Sequence, residues 1–235
     1  LDHEIAIWAS LEHPHLLGMI QMMDVDDAVF IVSELAEGGN LLDYVSKYGR
    51  LKEHVARSVV AQVVDALVYL HTIIRVVHRD VKLDNVLVME KVEVVRTGEE
   101  WVPTVKLADF GLSERLERGS GEAGSPCGAN REDGYCVGSL HYCAPEEVRA
   151  VGSPSPAADV WSLGCVLYTV LCGALPFNDD YLPRLQMAIM KGEYDEGRLE
   201  RCGVSEVGRK LVREMLEVNV EKRLTIQQVW SHPFF

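Results

Sequence analysis

The chain has 235 residues, of which 48% are hydrophobic and 25% carry a charge, so it can bury a large core. Its formal net charge of -13 disfavours non-specific binding of nucleic acids, because their phosphates are neutralised by lysine and arginine. Such a surface would suit a basic peptide partner, although solubility alone is the simpler explanation of the charge.

None of the six cysteines belongs to a C-x-x-C pair, so the spacing of a zinc ribbon is absent. No basic-then-apolar leader is visible, and we therefore expect a reducing compartment, the cytoplasm or the nucleus. The uncharged run at 160–177 approaches the length of a membrane span. A helix buried on all sides of a soluble domain is the favoured alternative, and no membrane span is expected.

The first forty-odd residues predict a helix followed by a strand hairpin. Apolar residues recur at helical spacing over 4–11, where Ile5, Trp8 and Leu11 share a face. Two short apolar runs at 16–22 and 28–33 flank an acidic turn, as in a hairpin.

The middle of the chain alternates helices with short strands. Helices are predicted at 41–46 and, with a strongly amphipathic pattern, at 53–70. Strands are predicted at 86–88 and 105–107, with an extra hairpin at 92–101 between them. The Gly-, Ser- and Asn-rich stretch at 119–134 predicts a loop.

From residue 157 onward the pattern is mostly helical, with breaks at 173–176 and at Gly203. A last helix is predicted near 225–230, where Thr225 is a favourable N-cap. Strands therefore come first and helices dominate later, which is an α+β layout weighted towards helix.

Three short motifs stand out because they occur in a fixed order. Residues 78–85 read HRDVKLDN between a predicted long helix and a short strand. Asp-Phe-Gly follows at 109–111 and Ala-Pro-Glu at 144–146. A three-residue match alone would carry no weight and could be a solvated surface loop, but all three in this order are specific.

The residue types in these motifs suit phosphoryl transfer, which needs an oriented hydroxyl and cations that take up charge. Asp80 can accept the hydroxyl proton, and Lys82 can meet the transferred phosphate. Mg²⁺ prefers a few protein oxygens together with phosphate and water, and Asn85 and Asp109 can supply such oxygens.

With these motifs the chain resembles the eukaryotic serine/threonine protein kinase family, from residue 4 to its end. The resemblance implies an α+β, protein kinase-like fold with a mainly helical C-lobe and a truncated N-lobe remnant. The remnant would be 1–33, the hinge 34–40 and the C-lobe 41–235, with the activation segment at 109–146. It also implies transfer of the γ-phosphate of ATP, with Mg²⁺, to Ser or Thr hydroxyls of a protein substrate.

The resemblance also implies an ATP site. Backbone groups of Glu34 and Ala36 would bind the adenine edge, and Leu87 would lie beneath the base. Lys82 and Asp109 would complete the site on the phosphate side.

Further residues match the family's structural positions. Asp159 would hydrogen-bond the backbone of the catalytic loop, and Arg223 would pair with Glu146. Glu4 matches the glutamate that forms a salt bridge with the ATP-anchoring lysine. A stacked spine linking the lobes would comprise Trp8, Met19, His78 and Phe110.

Specificity for serine and threonine is implied by Lys82 and by Ser139, a hydroxyl expected near the catalytic Asp. The segments 171–177 and 231–235 look most like the calcium/calmodulin-dependent and AMP-activated branch.

Regulation is harder to transfer. Tyr135 stands where many relatives carry a phosphorylated Ser or Thr that would pair with Arg79, and Ser120 or Ser125 could substitute. Asn40 replaces a Glu that recognises basic substrate residues in many relatives.

No G-x-G-x-x-G occurs in the sequence, so the glycine-rich loop and the lysine-bearing strand are expected before Leu1. The chain as given would then be a fragment impaired in ATP binding. The alternatives are a pseudokinase that acts as a binding scaffold and a small-molecule phosphotransferase, and residues 138–177 argue against the latter.

Overall fold

The computed structural model describes residues 2–26, 28–90, 102–116, 140–149 and 155–235. Small antiparallel sheets occupy the first half of this part of the chain, and helices make up most of the second half. The predicted α+β layout is confirmed. The predicted extra hairpin at 92–101 and most of the loop at 119–134 lie outside the described residues.

The first helix, α1 (Asp2–Trp8), is shorter at its end than the sequence predicts. Its fully buried side chain is Ile7, whereas Ile5, Trp8 and Leu11 are only partly buried. Trp8 and Leu11, on the predicted face, pack against the core from its edge. The indole N–H of Trp8 donates to a backbone carbonyl at 2.6 Å, so this residue lies at the edge of the core where its polar group finds a partner.

The predicted hairpin is confirmed as β1 (Met19–Val25) and β2 (Ala28–Ser33), which pair antiparallel with Met22 opposite Ile31. It is tied to the rest of the fold just before β1, where the N–H of Leu17 donates to the carbonyl of Leu107 at 2.9 Å. This bond places the end of β2 beside the strand that precedes Asp109.

Two helices follow, α2 (Leu41–Tyr48) and α3 (Glu53–Val68). A π-helical turn, Tyr69–Ile74, extends α3, and Arg75 then ends it in a left-handed conformation. In the described part of the chain, Glu53–Ile74 is the one helical stretch long and apolar enough to cross a membrane, a test that core helices also pass. One side of α3 is fully buried, as expected of a core helix.

Four short strands hold the segment that carries the motifs. β3 (Val76–Val77) pairs with β6 (Glu114–Arg115), and β4 (Val86–Val88) pairs with β5 (Val105–Leu107). Both pairs are antiparallel, so residues 78–85 and 108–113 form two loops on one side of them.

The central helix is α5 (Pro156–Cys172), in which every residue from Ala158 to Cys172 is buried. This confirms the buried helix over the alternative of a membrane span at 160–177. In α5, the ring of Trp161 stacks on the ring of Phe177. Their centroids are 5.4 Å apart, and the angle between their planes is 8°.

The remaining helices surround α5. They are α4 (Pro145–Val148), α6 (Leu182–Lys191), α7 (Glu196–Arg201), α8 (Glu206–Met215) and α9 (Ile226–Trp230). The hydroxyl of Thr225 accepts the N–H of Gln228, so the predicted N-cap is confirmed. The breaks predicted at 173–176 and Gly203 also separate helices in the structure.

Candidate active site

One carboxylate of α5 holds the loop at 78–85 in place through hydrogen bonds to its backbone. Asp159, which is 1% exposed, accepts the backbone N–H groups of His78 and Arg79, both at 2.8 Å. Its Oδ2 also lies 2.7 Å from Nε2 of His71, in the π-helical turn. The left-handed backbone of Arg79, with φ of 70°, turns the loop so that both N–H groups face Asp159.

This network sets the charge of its members. Burial alone would raise the pKa of Asp159, yet the hydrogen bond and charge interaction with His71 hold that pKa below its usual value. Burial lowers the pKa of His78, which favours its neutral form. Nε2 of His78 lies 3.2 Å from the carbonyl of Ala108 and therefore carries the proton. Nδ1 then accepts the N–H of Asp80 at 3.3 Å.

Three of the predicted site residues lie in direct contact. Asp80 is 6% exposed, and its Oδ2 accepts from Nζ of Lys82 at 2.6 Å and from Nδ2 of Asn85 at 2.9 Å. The same amide nitrogen donates to the carbonyl of Asp80 at 2.8 Å. Because the nitrogen of Asn85 makes both bonds, its amide oxygen points away from Asp80. The short helical turn Leu83–Asn85 brings these side chains together.

Asp109 reaches the same place through the backbone. The N–H of Ala108 donates to the carbonyl of Asn85 at 2.9 Å. Asp109, the next residue, therefore lies beside the loop at 78–85. Asp109 has a left-handed φ of 66°, and its Oδ1 accepts the N–H of Gly111 at 3.2 Å. A Cβ built on Gly111 would lie 3.8 Å from Oε1 of Glu4, which places that carboxylate at the edge of the site.

The donors gathered here are oxygens and cations. Carboxylate and amide oxygens of Asp109 and Asn85 are the ligand types that suit Mg²⁺ when phosphate and water complete its shell. Among the described residues, no group of three His, Cys, Asp or Glu side chains forms a self-sufficient metal site. The chemistry therefore fits an ion that arrives with a phosphate ligand.

An aromatic stack connects α1 to this site. The ring of Phe110, which is fully buried, lies 6.1 Å from that of Trp8 and 5.4 Å from that of His78. These are three of the four residues predicted to form the spine. The fourth, Met19, begins β1 opposite Ser33.

The predicted hinge is anchored by its first residue. The carboxylate of Glu34 lies 2.6 and 2.8 Å from Nζ of Lys106 and accepts the N–H of Gly18 at 2.8 Å. The hydrogen bond from Lys106, and then that from Gly18, hold the pKa of Glu34 below its usual value. The carbonyl of Glu34 accepts the hydroxyl of Ser33 at 3.2 Å.

The other two residues predicted to contact adenine are Ala36, in the hinge, and Leu87, in β4. Ala36 is half-buried, and its carbonyl accepts the N–H of Gly39 at 3.4 Å. Leu87, in β4, is half-buried and forms an antiparallel bridge with Asn40, so it lies beside the hinge. The side chain of Asn40 accepts the N–H of Asp43 at 2.8 Å and so caps α2.

A buried ion pair joins the end of the third motif to a late loop. Nη1 and Nη2 of Arg223 donate to the two carboxylate oxygens of Glu146 at 2.7 and 2.9 Å. Arg223 also donates to the carbonyls of Ala157 and Glu217, both at 2.8 Å, and stacks on Trp161. The resemblance implies this pair, and the structure shows it as a two-pronged bond between guanidinium and carboxylate.

The family model described as "Protein kinase domain" matches residues 1–235, the whole chain. The chain belongs to the protein kinase family. Its relatives include a serine/threonine protein kinase.

Several curated kinases resemble this kinase domain over nearly all of its length. It is 35% identical over 235 residues to the carbon catabolite-derepressing protein kinase of Secale cereale, covering 98% of this chain and 41% of that one. It is 34% identical over 229 residues to serine/threonine-protein kinase SIK2 of Gallus gallus, and this match covers 97% of this chain and 25% of SIK2. Protein kinase kin1 of Schizosaccharomyces pombe is 35% identical over 233 residues, and this match covers 98% of this chain and 23% of kin1. The chain thus spans less than half the length of these relatives.

Solved kinase structures share the fold. The Rad53 kinase domain and SCD2 in complex with AMPPNP matches with a TM-score of 0.78 and 27% identity, covering 100% of this chain and 78% of that one. Rad53 1–466 in complex with AMP-PNP matches with a TM-score of 0.77 and 29% identity, and this match covers 99% of this chain and 54% of the Rad53 chain. These matches confirm the protein kinase fold predicted from the sequence.

Sequence reasoning missed three polar contacts of this kinase domain. They are the pairs of His71 with Asp159, of Lys106 with Glu34, and of Arg79 with Glu114, whose members lie 88, 72 and 35 residues apart. No local spacing could reveal them, because only the tertiary fold brings their members together. The predicted Ser139, Tyr135, Ser120 and Ser125 lie outside the described residues.

Proposed function

We propose that the protein is an ATP-dependent serine/threonine kinase that transfers the γ-phosphate of ATP to Ser or Thr hydroxyls of proteins. The observation that carries this proposal is the convergence of Lys82 and Asn85 on the nearly buried carboxylate of Asp80, at 2.6 and 2.9 Å. A carboxylate held in this way on an anchored loop is oriented before the substrate arrives.

Each residue has a separate task in this reaction. Asp80 accepts the proton of the acceptor hydroxyl and aims its oxygen at the phosphate. Lys82 holds Asp80 in place and supplies positive charge where the transferred phosphate gains negative charge. Asn85 fixes the other side of Asp80 while its oxygen stays available for a metal ion.

The nucleotide and its metal would lie between the hinge and Asp109. Backbone groups of Glu34 and Ala36 bind the adenine edge, and Leu87 lies beneath the base. Mg²⁺, held by Asn85 and Asp109, neutralises charge on the phosphates when it is bound. The Rad53 structures, which were solved in complex with AMPPNP, support a nucleotide ligand for this chain.

The similarity to curated kinases supports the branch, whereas the location is a proposal based on the sequence. Similarity to SIK2, to kin1 and to the carbon catabolite-derepressing kinase supports a position near the AMP-activated branch. We extend the proposal to a protein substrate with a Ser or Thr acceptor and to a location in the cytoplasm or the nucleus.

The test is a phosphotransfer assay on the full-length protein with Mg-ATP and a generic Ser/Thr peptide. Asp80→Asn should lower kcat by about 10²–10⁴-fold, because general-base and orienting groups contribute on this scale. The matched control is Asp180→Asn, which removes an exposed carboxylate outside the site and should leave kcat unchanged. Full activity of Asp80→Asn would overturn the role of Asp80.

Ligand binding separates the kinase from the scaffold alternative. Mg-ATP should raise the melting temperature of the full-length protein, since a ligand that binds only the folded state stabilises it. A folded protein that shows neither this shift nor phosphotransfer would instead be a binding scaffold.

A further inference from the structure

Two cysteines meet where the central helix ends. Cys172 is the last residue of α5 and is 4% exposed, and Cys202 directly follows α7. Both are free thiols, and Cys202 is only partly buried although it packs against the core. The helices α5 and α7 contact each other, so the two thiols lie at one junction.

Two arginines hold the backbone on both sides of this junction. Nη2 of Arg198 donates to the carbonyl of Cys172 at 3.4 Å, while its own carbonyl accepts the N–H of Cys202 at 2.9 Å. Nη1 of Arg50 donates to the carbonyl of Cys202 at 2.8 Å. The stem of Arg50 also lies 3.6 Å from a Cβ built on Gly173, the residue after Cys172. Three hydrogen bonds involving Arg198 and Arg50 therefore hold the backbone of both cysteines.

The thiols themselves interact. The pKa of Cys172 is raised to about 12, first by burial and then by the charge of Cys202 and a side-chain hydrogen bond with it. The guanidinium of Arg198 acts in the opposite direction and favours the thiolate. Cys202 is the more accessible of the two, so an oxidant in solvent reaches it first.

We propose that Cys172 and Cys202 are a redox modification site that forms a reversible intramolecular disulfide when the protein meets a peroxide. The thiol of Cys202 attacks hydrogen peroxide, breaks its O–O bond, and becomes a sulfenic acid with release of one water. The thiol of Cys172 then displaces the hydroxyl of that sulfenic acid, which leaves as a second water when the S–S bond forms. The two thiols lose two electrons, which reduce the peroxide, and a dithiol reductant reverses the change.

The bond would close a loop that contains α6, α7 and the groove between them. This groove of about 590 Å³ is lined by residues between Pro176 and Glu196, all inside the loop. The start of α7 is already tied to α5, because the hydroxyl of Tyr168 donates to the carbonyl of Asp195 at 2.8 Å. The disulfide would link the end of α7 to α5 as well, so both ends of α7 would be held against α5.

The experiment treats the full-length protein with hydrogen peroxide, blocks the remaining thiols and maps disulfide-linked tryptic peptides by mass spectrometry. Trypsin cuts after Arg184 and Arg201, so the two cysteines fall on separate peptides. We expect a linked pair that dithiothreitol separates. We also expect the melting temperature to rise by about 5 °C on oxidation and to return on reduction, since the bond restricts the unfolded chain.

Cys165 lies on the same tryptic peptide as Cys172 and provides the matched control. Cys165→Ala should keep the linked pair, and Cys202→Ser should abolish it together with the rise in melting temperature. The proposal is overturned if oxidation of the wild-type protein links Cys202 to Cys127 or Cys136, or leaves it as a sulfinic or sulfonic acid without a link. The wild-type comparison decides the matter even if a variant fails to fold.

Discussion

The guanidinium of Arg79 donates to the carboxylate of Glu114 across 2.7 Å, and the two side chains are 21% and 32% exposed. Arg79 belongs to the loop at 78–85, and Glu114 lies in β6, five residues after Asp109. The family resemblance implies that Arg79 would pair with a phosphate on the activation segment. Here Glu114 presents a negative charge to it within the same chain, without phosphorylation.

Glu114→Gln should therefore weaken activity of the unphosphorylated protein. A partly exposed ion pair contributes at most about 1 kcal/mol, so kcat/KM should fall by roughly two- to fivefold. Steady-state kinetics with a Ser/Thr peptide measure this, and Glu206→Gln, which removes a paired carboxylate far from the site, should have no effect. An unchanged kcat/KM for Glu114→Gln would show that the pair does not order the loop.

Asp159 is the residue on which the geometry of the loop depends most. Asp159→Ala leaves two backbone N–H groups and His71 without their acceptor in a buried place. We expect the free energy of unfolding to fall by about 3–5 kcal/mol, the usual cost of breaking a buried charged network from one side. Urea unfolding measures this loss, and phosphotransfer should be lost with it because Asp80 is no longer held.

Stability should decline in mild acid because buried histidine must be protonated on unfolding. The pKa of His78 is lowered below its usual value of 6.5, first by burial, so the unfolded chain binds a proton that the folded chain rejects. The contribution of His78 is fully present above pH 6.5 and is lost as pH falls below 6.5 towards its folded pKa. Urea midpoints between pH 8 and pH 5 should fall accordingly.

His78→Phe provides the control for that pH dependence. Phenylalanine keeps the ring contact with Phe110 but cannot titrate, so the decline below pH 6.5 should become shallower. Some decline should remain, since burial also lowers the pKa of His13 and His232. An unaltered slope would assign the acid sensitivity to these other histidines.

The pair of Arg223 and Glu146 should tolerate even a conservative change poorly. Arg223→Lys keeps the charge but loses the two-pronged bond, and lysine lacks the planar geometry that reaches the carbonyls of Ala157 and Glu217 at the same time. We expect a loss of about 2–3 kcal/mol in the free energy of unfolding. Arg209→Lys, in an exposed pair with Glu206, should change it by less than about 0.5 kcal/mol.

The sequence predicts most of the elements and the identity of the site residues, but little of the strain within the site. Periodicity located α3, and the uncharged run located α5, because both helices bury a face or their whole surface. The left-handed conformation of Arg79 follows no propensity, whereas aspartate, as at Asp109, is among the residues that tolerate this region better. Both conformations persist because Asp159 accepts the N–H of Arg79 and the carboxylate of Asp109 accepts the N–H of Gly111, and these contacts exist only after folding.

The ion pair between Glu34 and Lys106 gives a last prediction, which concerns nucleotide affinity. Lys106 lies three residues before Asp109, so the pair fixes the hinge relative to the strand that delivers the proposed metal ligand. Glu34→Gln removes the charge but can keep the bond from Gly18, and it should loosen the hinge without touching Asp80. We expect the KM for ATP to rise about threefold to tenfold while kcat changes by less than twofold, as for a residue that acts on binding alone. A matching fall in kcat would mean that the pair also positions the reacting groups, and equal KM values would mean that the hinge is held without it.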